Sequence, residues 1–208
     1  CIRDRRYAGW FKKIIGNHIQ YFNPESVPMI GVGELLLDLN GLIHVAAQKT
    51  FKYGDYAELP RVLPRRATKA PTNEMCYEEV CNMIDEFSRI TGTKKIILAI
   101  DSVAPIAKQQ QQRQRRYKTI IEEGEKMNNF DPVCISAGTM FLRNFSQYLE
   151  KFIVKKVKNS SWDVILSDDE CPGEGEHKLI SYIRKYGDQR TKYCINAQDA
   201  DLYMLSLE

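Results

Sequence analysis

Four short apolar runs punctuate the chain: Glu34-Leu35-Leu36-Leu37-Asp38, Lys95-Ile96-Ile97-Leu98-Ala99-Ile100-Asp101, Asp163-Val164-Ile165-Leu166-Ser167 and Lys192-Tyr193-Cys194-Ile195-Asn196. Continuous apolar positions, without polar alternation, predict strands of a parallel sheet covered on both faces. Between them the pattern changes to helical period. Residues 73–90 place Cys76, Val80, Met83, Ile84, Phe87 and Ile90 on one face, with Thr72 or Asn73 as N-cap and Gly92 just past the end. Residues 140–155 do the same with Phe141, Phe145, Tyr148, Leu149, Phe152 and Ile153, and residues 177–186 with Leu179, Ile180, Ile183 and Tyr186. Such stripes are core faces. Strands alternating with helices predict an α/β fold with a mostly parallel central sheet flanked by helices.

Residues 52–72 break this rhythm with Pro60, Pro64 and Pro71 among Arg61, Arg65, Arg66 and Lys69, and read as a solvated irregular excursion; residues 122–134 read as another loop. Composition adds little until it is mapped. A hydrophobic share of 43% supports a packed core and excludes wholesale disorder. A formal charge of +3 is too small to mark a nucleic-acid binder, so its distribution must decide. No apolar run reaches the roughly 20 residues needed to cross a bilayer; the longest candidate, Met29 to Ala47, is interrupted by Glu34, Asp38, Asn40 and His44. The 6 cysteines form no CxxC pair and read as reduced thiols in an intracellular protein; the expected location is the cytoplasm rather than the nucleus, a choice the cysteines do not make. His18, His44 and His177 show no metal-ligand spacing with one another or with a cysteine, which argues against structural zinc.

The chemistry collects after the strands. The first runs into Asp38 and the second into Asp101. The third is followed by Asp168-Asp169-Glu170 and then Pro172-Gly173-Glu174-Gly175-Glu176-His177, the fourth by Asp199-Ala200-Asp201. Strands of an open parallel sheet share one carboxyl-terminal edge, where sites form. Asp38, Asp101, Glu174, Glu176, Asp199 and Asp201 should therefore converge. A single strand-end Asp is ordinarily a helix cap or a solvated group. Four strands ending this way call for cations to neutralise the cluster. Oxygen ligands suit Mg²⁺ or Mn²⁺, and two such ions can drive phosphodiester cleavage.

A basic helix follows Asp101, starting near Pro105. Lys108, Gln112, Arg115 and Arg116 share one face of it, a stripe suited to a phosphate. His44, six residues after Asp38, should lie near the crevice and contact a nucleotide. His177 should cap or pack at the start of its helix.

With these residues in view, the chain resembles the N-terminal nuclease region of the Xrn/Rat family of 5′→3′ exoribonucleases. The match is carried by Asp38-Leu-Asn-Gly-Leu-Ile-His44, by Asp101 through Lys108 to Gln111-Gln112-Arg113-Gln114-Arg115-Arg116-Tyr117, by Pro172-Gly-Glu-Gly-Glu-His-Lys178, and by Asp199-Ala-Asp-Leu202 with Met204-Leu205. The resemblance implies a PIN-like α/β nuclease domain related to flap endonucleases. It implies that Asp38, Asp101, Glu174, Glu176, Asp199 and Asp201 are the catalytic, metal-binding residues. It also implies that Lys108, Gln112, Arg115 and Arg116 hold a 5′-monophosphate and that His44 contacts the first nucleotides. The implied substrate is single-stranded RNA with a 5′-monophosphate. Ser102 and Ala197 stand where the family usually has Gly, and Gly9-Trp10-Phe11 sits behind a basic start in place of an opening Met-Gly. The family's seventh metal-site Asp and its pocket-closing region come later in such proteins. The chain is therefore expected to be the N-terminal part of a longer protein, inactive alone, with protein partners binding elsewhere. Two other functions share these features: a flap-type DNA endonuclease and a non-catalytic RNA-end-binding scaffold.

Overall fold

Four strands form one parallel sheet: β1 (Glu34–Asp38), β2 (Lys95–Ala99), β3 (Asp163–Ser167) and β4 (Tyr193–Asn196), in the order β3-β2-β1-β4. The computed structural model describes residues 31–57, 70–123, 130–196 and Leu202; the side chains of Asp55, Arg115, Arg116 and 118–123 also lie outside the description. Strand positions follow the apolar runs, but β2 stops at Ala99, two residues before the expected end at Asp101. The register sets Asp38 opposite Ala99, Ala99 opposite Ser167 and Leu37 opposite Asn196. The carboxyl ends are thus level, and everything that follows each strand emerges at one edge.

Five α-helices are present among the described residues: α1 (Leu39–Phe51), α2 (Asn73–Thr91), α3 (Ile106–Glu123), α4 (Met140–Ser160) and α5 (Gly175–Tyr186). Successive strand residues point to opposite faces. Leu35, Leu37, Ile96 and Leu98 face a core shared with Leu42 and Ile43 of α1, Val80 and Ile84 of α2, and Phe145 and Leu149 of α4. Leu36, Ile97 and Ala99 face the other way and meet Leu179 of α5. The strand order accounts for this division. The chain steps outward from β1 to β2 to β3, then returns across the sheet to β4. A right-handed crossover that reverses direction must carry its helix over the opposite face.

The structure departs from the sequence reading at several elements. β3 is an edge strand, with Ile165 43% exposed, because α5 lies over β1 and β2 and leaves β3 open on that face. Its apolar run predicted cover on both faces. The stretch after Asp38 forms α1, burying Leu39, Leu42, Ile43, Ala46, Ala47 and Phe51. α2 matches expectation, with the Thr72 hydroxyl accepting from the Met75 N–H at 3.3 Å and Gly92 closing it in the left-handed conformation. α4 runs to Ser160, past the apolar stripe, on polar residues that continue a helix already anchored in the core. α5 begins at Gly175, two residues early, which puts Glu176 in its first turn. α3 continues to Glu123, into the loop expected from residue 122. The basic excursion includes a 3₁₀ turn at Gly54–Tyr56; residues 58–69, like Gly9-Trp10-Phe11, His18 and Cys1, lie outside the described residues. Cys76, Cys81, Cys134, Cys171 and Cys194 are all free thiols, and Cys171 is exposed.

Candidate functional site

Asp38 ends β1 and caps α1, its Oδ1 accepting from the Asn40 N–H at 3.2 Å. Asn40 in turn reaches across to the next strand, where its Oδ1 accepts from the Asp101 N–H at 2.9 Å. The two strand-end aspartates are thus coupled through one asparagine. The first turn of α5 closes against both. The Gly175 N–H donates to Asp101 Oδ1 at 2.6 Å. The point where a Cβ would sit on Gly175 is 2.6 Å from Asp38 Oδ1 and 3.3 Å from Asp101 Oδ1. The two oxygens can therefore stand no farther apart than those distances laid end to end, and only a residue without a side chain fits between them.

The loop before α5 is zipped to the loop after β2. The Ser102 N–H donates to Gly173 O at 2.9 Å and the Gly173 N–H donates to Val103 O at 3.1 Å. Gly173 turns the chain at φ +117, a conformation that strains any residue with a Cβ. Ser102 adds a hydroxyl bond to Asp169 O. This zipper delivers Glu174 and Glu176 to the site, both buried at 8% and 6% exposure. Glu174 is the N-cap residue of α5, but its side chain makes no cap bond; its Oε2 lies 3.4 Å from the Lys108 ammonium instead. The ligand atoms of Glu174, Glu176 and His177 all fall within 4.8 Å of one another.

Burial raises the Asp101 carboxyl above its ordinary range, against the Gly175 N–H and the positive charges of Lys178, Lys108 and His44. Burial likewise lowers the Lys178 ammonium, against the pull of Cys171, Asp101, Asp168 and Asp169. The α5 N-terminus, whose Gly175 N–H already points at Asp101, adds a favourable field for these acids. The donor set suits a hard divalent cation: buried carboxylate oxygens from three segments, with one imidazole at the rim. Among the described residues, Glu174, Glu176 and His177 have ligand atoms close enough together to hold one, and Asp38 and Asp101 flank Gly175 beside them.

The structure brings together Asp38, Asp101, Glu174, Glu176 and Lys108. His44 lies on α1, half-buried and close enough to act on the Asp101 charge. Gln112 is half-buried one turn beyond Lys108 on α3. Arg115 and Arg116 fall on the same helix, with their side chains outside the description; Asp199 and Asp201 lie outside the described residues altogether. His177 neither caps nor packs. Its side chain is 57% exposed, with Nε2 3.8 Å from Glu174 Oε2 and 4.0 Å from Glu176 Oε1. The sequence reading assigned no role to Asn40, Gly175 or Lys178, although all three stand inside the motifs it quoted.

Comparison with known proteins identifies the family. The family model for the XRN 5′-3′ exonuclease N-terminus matches residues 4–208. The chain is similar to 5′-3′ exoribonuclease 1 of Schizosaccharomyces pombe, 38% identical over 195 residues, covering 83% of this chain and 14% of that protein. The protein of the same name from Saccharomyces cerevisiae is 36% identical over 196 residues, covering 83% of this chain and 12% of its own length. The human 5′-3′ exoribonuclease 1 is 31% identical over 201 residues, covering 83% of this chain and 11% of its own. The chain thus spans a small part of the curated relatives it matches. On that match, and on the motifs gathered at one sheet edge, the chain belongs to the XRN 5′-3′ exonuclease N-terminus family.

Proposed function

We propose that this chain supplies part of the catalytic centre of a metal-dependent 5′→3′ exoribonuclease. Its substrate is single-stranded RNA bearing a 5′-monophosphate. The observation that carries this reading is the contact of Lys108 with Glu174 at 3.4 Å. Lys108 is the first member of the cationic stripe on α3, and Glu174 belongs to the acidic edge. The proposed phosphate stripe and the carboxylates are therefore neighbours at Lys108, as end-anchored cleavage of a phosphodiester chain requires.

In this reading Asp38, Asp101, Glu174, Glu176, Asp199 and Asp201 hold two Mg²⁺ or Mn²⁺ ions. Such ions supply an activated water and neutralise the leaving oxygen. The protein's own share is positional. Lys108, Gln112, Arg115 and Arg116 bind the terminal phosphate through charge-assisted bonds. His44 orients the first nucleotide. Glu174 and Glu176 are buried, which strengthens the interactions they make. A pocket sized for a terminal monophosphate rejects a triphosphate or a cap and thereby sets the direction of attack.

The test compares wild type with Arg115→Ala in the full-length protein, on one RNA carrying either a 5′-phosphate or a 5′-hydroxyl. A charged hydrogen bond is worth roughly 1.5–3 kcal/mol. The variant should lose about 10- to 100-fold in kcat/KM on the phosphorylated RNA and far less on the hydroxyl form. Equal losses on both would refute the end pocket and the direction with it.

A further inference from the structure

We infer that Lys178 is a positioning residue for the acidic edge: its ammonium clasps the loops that carry Asp101 and Glu174 onto the first turns of α5, and so sets the geometry in which those carboxylates meet a divalent cation. The inference rests on the metal reading above and adds a residue that reading leaves without a role.

The clasp is built from three segments. Lys178 stands one helical turn after Glu174, its own N–H donating to Glu174 O at 3.0 Å. Side chains on a helix lean toward its N-terminus, so the lysine stem runs back under the site. Its Nζ donates to Ile100 O at 2.8 Å and to Asp168 O at 2.9 Å. Ile100 is fully buried at the end of β2 and is followed directly by Asp101. Asp168 is the first residue after β3 and opens the loop that leads to Glu174, its own Oδ1 accepting from the Glu170 and Cys171 N–H groups at 3.1 Å each. One ammonium therefore ties together the end of β2, the end of β3 and the start of α5.

Burial opposes the charge of this lysine, and the nearby acids favour it. An apolar side chain of the same length would fill the space but leave two inward-facing carbonyls without a donor. The strand ends could then separate, and the carboxylates would lose their shared geometry. Lys178 supplies no ligand atom to the Glu174–Glu176–His177 group, so its effect should appear in metal binding through the geometry it holds.

The experiment measures Mn²⁺ binding to the full-length protein, by the paramagnetic signal of the free ion, and cleavage of 5′-phosphorylated RNA across Mn²⁺ concentrations. Lys178→Met should weaken Mn²⁺ about 10- to 100-fold, the range found when a group that orients metal ligands is removed. The Mn²⁺ concentration for half-maximal cleavage should shift equally, with KM for RNA unchanged and turnover recovered at saturating Mn²⁺. Lys178→Arg, which keeps charge and donors, should restore most of the affinity. Wild-type or tighter Mn²⁺ binding by Lys178→Met would overturn the inference; tighter binding would make the lysine a competing charge. If that variant does not fold, Lys178→Gln decides by the same readout, with a tenfold loss in support and an unchanged affinity against. A wild-type protein that binds no Mn²⁺, or a Glu176→Gln variant that binds it normally, would instead remove the metal reading itself.

Discussion

Gly175→Ala is the sharpest probe of the site, because it adds one methyl group at the point where two strand-end carboxylates meet. The added Cβ would fall 2.6 Å from Asp38 Oδ1 and 3.1 Å from Asp38 Cγ, whereas ordinary contact begins at 3.4 Å. The carboxylate must then move by about 0.8 Å, and a misplacement near 1 Å in a reacting assembly costs about 100-fold in rate. That factor corresponds to about 2.7 kcal/mol of transition-state stabilisation. Stability should respond much less. Asp38 is half-buried, and its shift comes at the expense of its hydrogen bond to the Asn40 N–H; a lost N-cap costs about 1 kcal/mol. Alanine recovers up to about 1 kcal/mol through its better helix propensity. The expected result is a folded variant with a Tm within a few degrees of wild type, Mn²⁺ binding weakened at least tenfold, and turnover on 5′-phosphorylated RNA reduced about 100-fold. Calorimetric Mn²⁺ titration and single-turnover cleavage measure the two losses separately. Wild-type values for both would show that Asp38 and Asp101 need no shared geometry, and the site as described would fall.

Three further outcomes test the body that supports the site. Phe145 is fully buried against Tyr77, with ring centroids 5.6 Å apart, so Phe145→Ala should lower unfolding free energy by about 3–5 kcal/mol in urea titration; a change below about 1 kcal/mol would mean this core is not packed as described. Burial pushes the Cys76 and Cys81 thiols up to about 12 and Cys134 to about 11. At about pH 8 a thiol-specific reagent should, among the described cysteines, label the exposed Cys171 first and leave Cys76 and Cys81 until unfolding. Because the fold favours their neutral form, these thiols contribute stability below their unfolded value of 9.0, and that contribution is lost as pH rises toward 12. Alkaline unfolding that begins well below pH 9 would contradict this origin.

Strand positions were legible in the sequence because a buried parallel strand must be apolar on consecutive residues, and each of the four runs is bounded by polar groups. The helical stripes of α2 and α4 were legible for the same kind of reason, since backbone geometry imposes a period that side-chain polarity must follow. α1 carries that signal too, with Leu39, Leu42, Ile43, Ala46 and Ala47 at helical spacing. Parallel strands also made the shared edge a consequence: once Asp38 and Asp101 end neighbouring strands, their side of the sheet follows. What only the tertiary structure decided involves partners far apart in the chain. Strand order left β3 at an edge and Ile165 half-exposed, which no local pattern records. The hydrogen bonds from Asp101 to Asn40, from Gly175 to Asp101 and from Lys178 to Ile100 join residues separated by 61, 74 and 78 positions. Each is a single donor meeting a single acceptor, with no repeat along the sequence to betray it. Periodicity reports how one segment faces its surroundings; which atoms of two distant loops come within 3 Å depends on how every layer between them packs.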